Sequence, residues 1–121
     1  MKILMHFCLL GIICSGAPAN ADFSLKVYKD AKAEGGVNWA GMRLYLLGLS
    51  DGYGYANVVL VKRQQPPLFC PPENLGLTAD NVIDILEKTI SAMTVMKRMS
   101  DDTIIDYTLL QGLEATFPCK H

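Results

Sequence analysis

Histidine is nearly missing from this 121-residue chain: His6 stands close to the start and His121 is the last residue. Imidazole is the usual general base near neutral pH. Neither a Ser–His nor a Cys–His nucleophile pair is therefore expected. Zinc needs three or four converging His, Cys or carboxylate ligands, and the sequence offers no such set. A phosphate-binding loop is lacking as well, since Gly52-x-Gly54 has neither the third glycine, nor the lysine, nor a preceding strand. No sign of charge predominates. Eleven basic residues against twelve acidic ones give a net charge of −1, and nothing here suggests a nucleic-acid partner, which would want a basic patch and a high pI. These absences predict no catalytic residue, no metal site, no cofactor and no enzyme activity. Two carboxylate pairs remain. Asp101-Asp102 reads as a helix-start pattern rather than a hydrolytic pair, and Asp80 with Asp84 reads as a solvated helix face.

What is present begins at the N-terminus. Met1-Lys2 precedes a run of apolar residues from Ile3 to Cys14, then small residues ending in Ala19-Asn20-Ala21. This is the order of a secretory signal peptide, residues 1–21, cut after Ala21. The apolar run falls short of the roughly 20 residues a membrane-spanning helix needs, so no membrane insertion is expected after cleavage. The exported part, 22–121, is the size of one domain. Removal of Lys2 leaves ten basic against twelve acidic residues, a net charge of −2.

Cleavage also removes Cys8 and Cys14, leaving Cys70 and Cys119. Two cysteines in an exported chain ordinarily pair; the alternative is two buried free thiols. A bridge closing the 49-residue separation is worth roughly 4 kcal/mol. Whole-domain stability is about 5–15 kcal/mol. The pair would thus be a large part of what holds the fold.

Apolar spacing predicts an all-α bundle of about four helices. Phe23, Val27, Tyr28 and Ala31 mark a first short helix stopped by Gly35-Gly36. A long helix follows from Trp39 to about Arg63, with Asn38 as its expected N-cap and a kink expected near 51–54; a loop at 50–54 is the alternative. Gly41, Gly48, Gly52 and Ala56 share one stripe of that helix. Residues 64–76 form a loop, where Pro66-Pro67 and Pro71-Pro72 bracket Leu68, Phe69 and Cys70. Thr78 then caps a helix reaching about Val95. Ser100 is expected to cap the last helix, with Asp101 and Asp102 in its first turn, and Phe117-Pro118-Cys119 to end it.

Several local patterns occur in order: Tyr45-Leu46-Leu47-Gly48-Leu49-Ser50-Asp51-Gly52, Ala56-Asn57, Leu68-Phe69-Cys70-Pro71-Pro72, Leu77-Thr78, and Leu110-x-Gly112-Leu113-x-x-Thr116-Phe117-Pro118-Cys119. Together they resemble the Rap/Tai family of periplasmic immunity proteins, which neutralise peptidoglycan amidases delivered by type VI secretion. The likeness covers about 41–119. It implies an α-helical homodimer bridged between Cys70 and Cys119. It also implies that the partner is a papain-like amidase whose active-site cleft is blocked in the periplasm.

Within that expectation, the partner-binding segment is assigned to Met96, Lys97, Arg98, Met99 and Ser100, a short basic link with methionines. Methionine suits adaptable contacts and arginine is enriched at binding hot spots. The competing reading has both methionines facing the core. The Pro-rich loop is the second candidate for the amidase contact. Trp39, Gly48 and Gly52 are the expected dimer contact. The alternative function is a disulfide-stabilised helical chaperone of the periplasm. Such chaperones tend to be rich in lysine, and only 19% of this chain is charged.

Overall fold

Four helices form in the predicted order: α1 (Leu25–Glu34), α2 (Gly36–Lys62), α3 (Ala79–Val95) and α4 (Ile105–Thr116). The structure is a computed structural model that describes residues 23–120. The signal-peptide segment, 1–21, and its cleavage point lie outside the described residues. Among the described residues no strand forms, apart from one isolated antiparallel bridge between Ser24 and Ile104. No described helix is long and apolar enough to cross a membrane.

Ser24 caps α1, its Oγ accepting from the Val27 N–H at 3.4 Å. Gly35 and Gly36 carry φ values of 67° and 55°. That left-handed pair lets α2 start at Gly36 with one intervening residue. Asn38 is therefore not the N-cap. It sits inside the first turn, and its side-chain amide donates to the Glu34 carboxylate. From there α2 runs 27 residues, about 40 Å at the standard rise.

The helix is continuous through 51–54, so the loop alternative fails and no break interrupts the glycines. Each helical glycine costs about 1 kcal/mol relative to alanine. The inner face offsets that cost. Met42, Leu46, Ser50 and Asn57 are buried there. The hydroxyls of Tyr45 and Tyr53 donate to the Asp106 carboxylate (2.6 Å) and carbonyl (3.0 Å).

Thr78 caps α3 as expected, reciprocally with Asn81. The Asn81 N–H donates to Thr78 Oγ1, and the Thr78 N–H to Asn81 Oδ1 at 3.1 Å. The start of α4 differs. It opens at Ile105, not at Ser100. Residues 100–103 form a turn instead, closed by the Thr103 N–H to the Ser100 carbonyl (3.0 Å) and the Ser100 N–H to Thr103 Oγ1 (2.9 Å). The first N–H groups of α1 claim the carbonyls of that turn. Leu25 N–H donates to Thr103 at 2.7 Å and Lys26 N–H to Asp101 at 2.9 Å. In return, the Ile105 N–H donates to the Phe23 carbonyl at 2.9 Å. Each helix start satisfies the other's orphan groups.

The core lies where α2, α3 and α4 meet. Leu46, Val82, Leu86, Ile105, Leu109 and Leu113 are fully buried. Helices α3 and α4 pack tightly at Gly112, where an added Cβ would stand 2.5 Å from Thr89 Oγ1 and 2.9 Å from Ile85 Cγ2.

The Pro-rich loop is fastened at three points. Asn57 Nδ2 donates to the Phe69 carbonyl and Asn57 Oδ1 accepts from the Leu68 N–H, both at 2.7 Å. The Cys70 N–H donates to the Phe117 carbonyl at 2.7 Å. Cys70 and Cys119 are joined as a disulfide, with Cα atoms 4.9 Å apart. Phe69 is buried, while Leu68 stays exposed.

Candidate functional site

The link between α3 and α4 is built by the way α3 ends. Met96 is the C-cap and Lys97 takes a left-handed conformation at φ 53°. The Arg98 N–H reaches the Met93 carbonyl and the Lys97 N–H the Thr94 carbonyl, both at 2.9 Å. These two bonds are the Schellman pattern, with lysine where glycine is usual. The chain then reverses into the 100–103 turn, which Lys29 holds from α1 through an ion pair to Asp101 at 3.0 Å. Both feet of the link are thus fastened, and its tip stands outward.

The tip separates the two methionines. Val95 is 84% exposed and Met96 55% exposed, whereas Met99 is half-buried and packs against the core. Lys97, Arg98 and Ser100 are exposed. Four of the five expected partner-binding residues are accessible, and Met99 supports the link from beneath. Beside the tip, a groove of about 310 Å³ runs between α3 and α4, with Met93, Met96 and Gln111 in its lining and Lys88 and Arg98 among its charged residues. Gln111 Oε1 is buried there with no hydrogen-bond partner among the described residues. The surface offers apolar contact area beside positive charge. Among the described residues, no three His, Cys, Asp or Glu side chains cluster as a metal site would require.

The expected dimer residues are divided. Gly48 and Gly52 lie on the exposed side of α2, and among the described residues a Cβ at either position would meet nothing within 4 Å. Trp39 is half-buried and stacks edge-on against Tyr28 at 5.7 Å.

Sequence reading did not single out a polar cluster under α1. The Tyr28 hydroxyl donates to Glu87 Oε1 at 2.7 Å, and Lys32 pairs with the same oxygen. Hydrogen bonds from Lys32 and then Tyr28 hold the Glu87 carboxyl below its ordinary range, while burial first, and then Glu87, push the Tyr28 hydroxyl upward. Helical spacing placed Tyr28 on the inner face, but nothing local announces its carboxylate partner 59 residues away.

No protein-family model, curated protein or solved structure matches the chain.

Proposed function

We propose that this protein is a periplasmic immunity protein that binds a papain-like peptidoglycan amidase of type VI secretion and occludes its active-site cleft. The ordered motifs ending in Phe117-Pro118-Cys119 support the family reading. The observation that carries the inhibitory site is the α3–α4 link. A cleft-blocking element should project, stay rigid and present mixed apolar and charged contacts. Val95, Met96, Lys97 and Arg98 project from two hydrogen-bonded feet. The Cys70–Cys119 bridge suits a protein that works in an oxidising compartment.

The test pairs the protein with the amidase encoded beside its own gene. Periplasmic co-expression should prevent lysis, and the purified protein should suppress cleavage of peptidoglycan stems. The double variant Met96→Ala, Arg98→Glu should weaken inhibition at least tenfold. Its melting temperature should stay within about 2 °C of the parent, because both side chains are exposed. Unchanged inhibition by this variant refutes the site. Absence of any binding to the neighbouring amidase refutes the function, all the more if model clients are protected from aggregation at pH 2–3.

A further inference from the structure

The Pro-rich loop and the middle of α2 enclose a cavity of about 340 Å³. Ser50, Gly54 and Val58 form its helix wall, and Phe69, Leu75 and Leu77 its loop wall. Its size and apolar walls suit a small organic molecule, whose sites run from about 300 to 1,000 Å³. The loop wall is fixed before any guest arrives. Asn57 Nδ2 donates to the Phe69 carbonyl at 2.7 Å, and the next residue, Cys70, is bridged to Cys119. A preformed wall spares a ligand the cost of ordering it. Two residues of the helix wall serve the cavity better than they serve the fold. Gly54 stands mid-helix, where glycine weakens the helix. Among the described residues, nothing outside its own helix backbone lies within 4 Å of where its Cβ would stand. The space a side chain would fill there opens into the cavity. Ser50 is 5% exposed and has no hydrogen-bond partner among the described residues. The hydroxyls of Thr89, Thr94, Thr108 and Thr116 each donate to the carbonyl four residues earlier in their helices. Ser50 does not, and a buried hydroxyl is costly unless something bonds it.

Charge then selects the guest. Among the described residues lining the cavity Asp51 alone is charged, and it is exposed and in no ion pair. Tyr55 stands one turn further along α2 and is 74% exposed. Positions four apart on a helix are neighbours on its surface. We propose that this cavity binds a small amphipathic amine, with its apolar body between Gly54 and the loop wall, a hydroxyl of that body on Ser50, and its ammonium at the mouth between Asp51 and Tyr55. A carboxylate beside an aromatic face is a favourable seat for an organic ammonium. An anion is disfavoured, because no basic side chain lines the cavity to meet it. The site is also separate from the expected dimer contact. At about 100° per residue, Asp51, Gly54 and Val58 centre roughly a quarter turn around α2 from Gly48. Nothing in it rests on the amidase proposal.

The experiment uses isotope-labelled protein, expressed from its full sequence and purified in the form the cell yields. The probe is tyramine, which carries an aromatic body, a hydroxyl and an ammonium. Amide chemical shifts should move saturably at 50–58 and 69–77, with a Kd of about 1 mM or tighter, as suits so small a ligand. Phenethylamine, which lacks the hydroxyl, should bind more weakly. Hydroxyphenylpropionate, which replaces the ammonium with a carboxylate, should bind about tenfold more weakly at low salt. Asp51→Asn should weaken tyramine about threefold, the modest worth of an exposed ion pair, and narrow its lead over the carboxylate. Ser50→Ala should erase the preference for tyramine over phenethylamine. Gly54→Leu should fill the cavity and abolish binding, with a melting temperature no lower than the parent's because leucine is the better helix former. The proposal is overturned if no saturable shift appears at these residues up to about 10 mM tyramine, a range that covers fragment affinities. It is equally overturned if hydroxyphenylpropionate binds as tightly as tyramine, if Ser50→Ala keeps the hydroxyl preference, or if Gly54→Leu binds undiminished.

Discussion

Asn57 is the residue whose replacement should reveal most about how this fold is held. Its side chain is buried, with both polar atoms spent on the Pro-rich loop: one donates to the Phe69 carbonyl, the other accepts from the Leu68 N–H. Asn57→Ala removes two hydrogen bonds worth about 0.5–1.5 kcal/mol each. It also strands the Phe69 carbonyl in a buried position, at a further cost of about 1–2 kcal/mol. The Leu68 N–H can recover water, because Leu68 is exposed. The expected loss is thus about 2–5 kcal/mol, or roughly 8–40 °C in melting temperature for a domain of this size.

Asn57→Asp isolates the electrostatic part. One carboxylate oxygen can still accept from Leu68, but the other must face the Phe69 carbonyl oxygen. Protonation restores a donor there, so the folded state should raise the pKa of the new carboxyl above its unfolded value of about 3.9. The stability this contributes is fully present below that unfolded value and is lost as pH rises through the folded one. The gap between parent and Asn57→Asp melting temperatures, measured from pH 3 to pH 8 with the disulfide intact, should therefore widen as pH rises. A gap that is constant over this range, or an Asn57→Ala variant within about 0.5 kcal/mol of the parent, refutes the anchoring role.

Two further outcomes test the helix packing and the polar cluster. Gly112→Ala should lower the urea midpoint by the equivalent of about 1–2 kcal/mol, because the overpacking cost at Thr89 and Ile85 exceeds the helix-propensity gain of about 1 kcal/mol; a stabilised variant would show that α3 and α4 are not so close. The Glu87 carboxyl, held low first by Lys32 and then by Tyr28, contributes stability that is present above its unfolded value of 4.5 and lost as pH falls through its lower folded value. The acid-side loss should be modest, since Glu87 keeps 38% of its side-chain surface exposed, and Glu87→Gln should lose less on acidification than the parent in the same melts.

Helix number, order and inner faces were legible because apolar spacing reports burial directly. Val82, Ile85, Leu86, Leu109 and Leu113 recur at helical intervals and all lie in the core. The disulfide was legible from arithmetic on the cysteines once residues 1–21 were read as a leader and left out of the count. Helix ends were less so. Both α2 and α3 finish in a Schellman pattern with Gln64 and Lys97 at positive φ, where glycine would have marked the stop. Asn38 has the right chemistry for a cap but stands three residues too late, because the left-handed Gly35-Gly36 joint had already started α2. For the candidate site, composition distinguished the 96–100 link but could not say which methionine points out. That choice depends on the C-cap geometry of α3, which directs Met96 to solvent and returns Met99 to the core.

The start of α4 shows why such misreadings are physical rather than accidental. Ser100 followed by two aspartates satisfies every local rule for a helix start. Ser100 does meet Thr103, but as the opening of a tight turn. The competing demand comes from α1, whose first N–H groups need acceptors and find them in the carbonyls of Asp101 and Thr103. Were 100–104 helical, those carbonyls would point along the α4 axis and leave Leu25 and Lys26 unpaired at a part-buried junction. Delaying α4 by one turn satisfies both helix starts, and Lys29 adds its ion pair to Asp101. The same choice shapes the candidate inhibitory surface. Because 100–104 is spent on α1 rather than on lengthening α4, the chain between Val95 and Ser100 must bulge outward from two fixed points. The projecting tip is thus a by-product of how α1 is capped, so weakening that capping should loosen the tip without touching any of its residues.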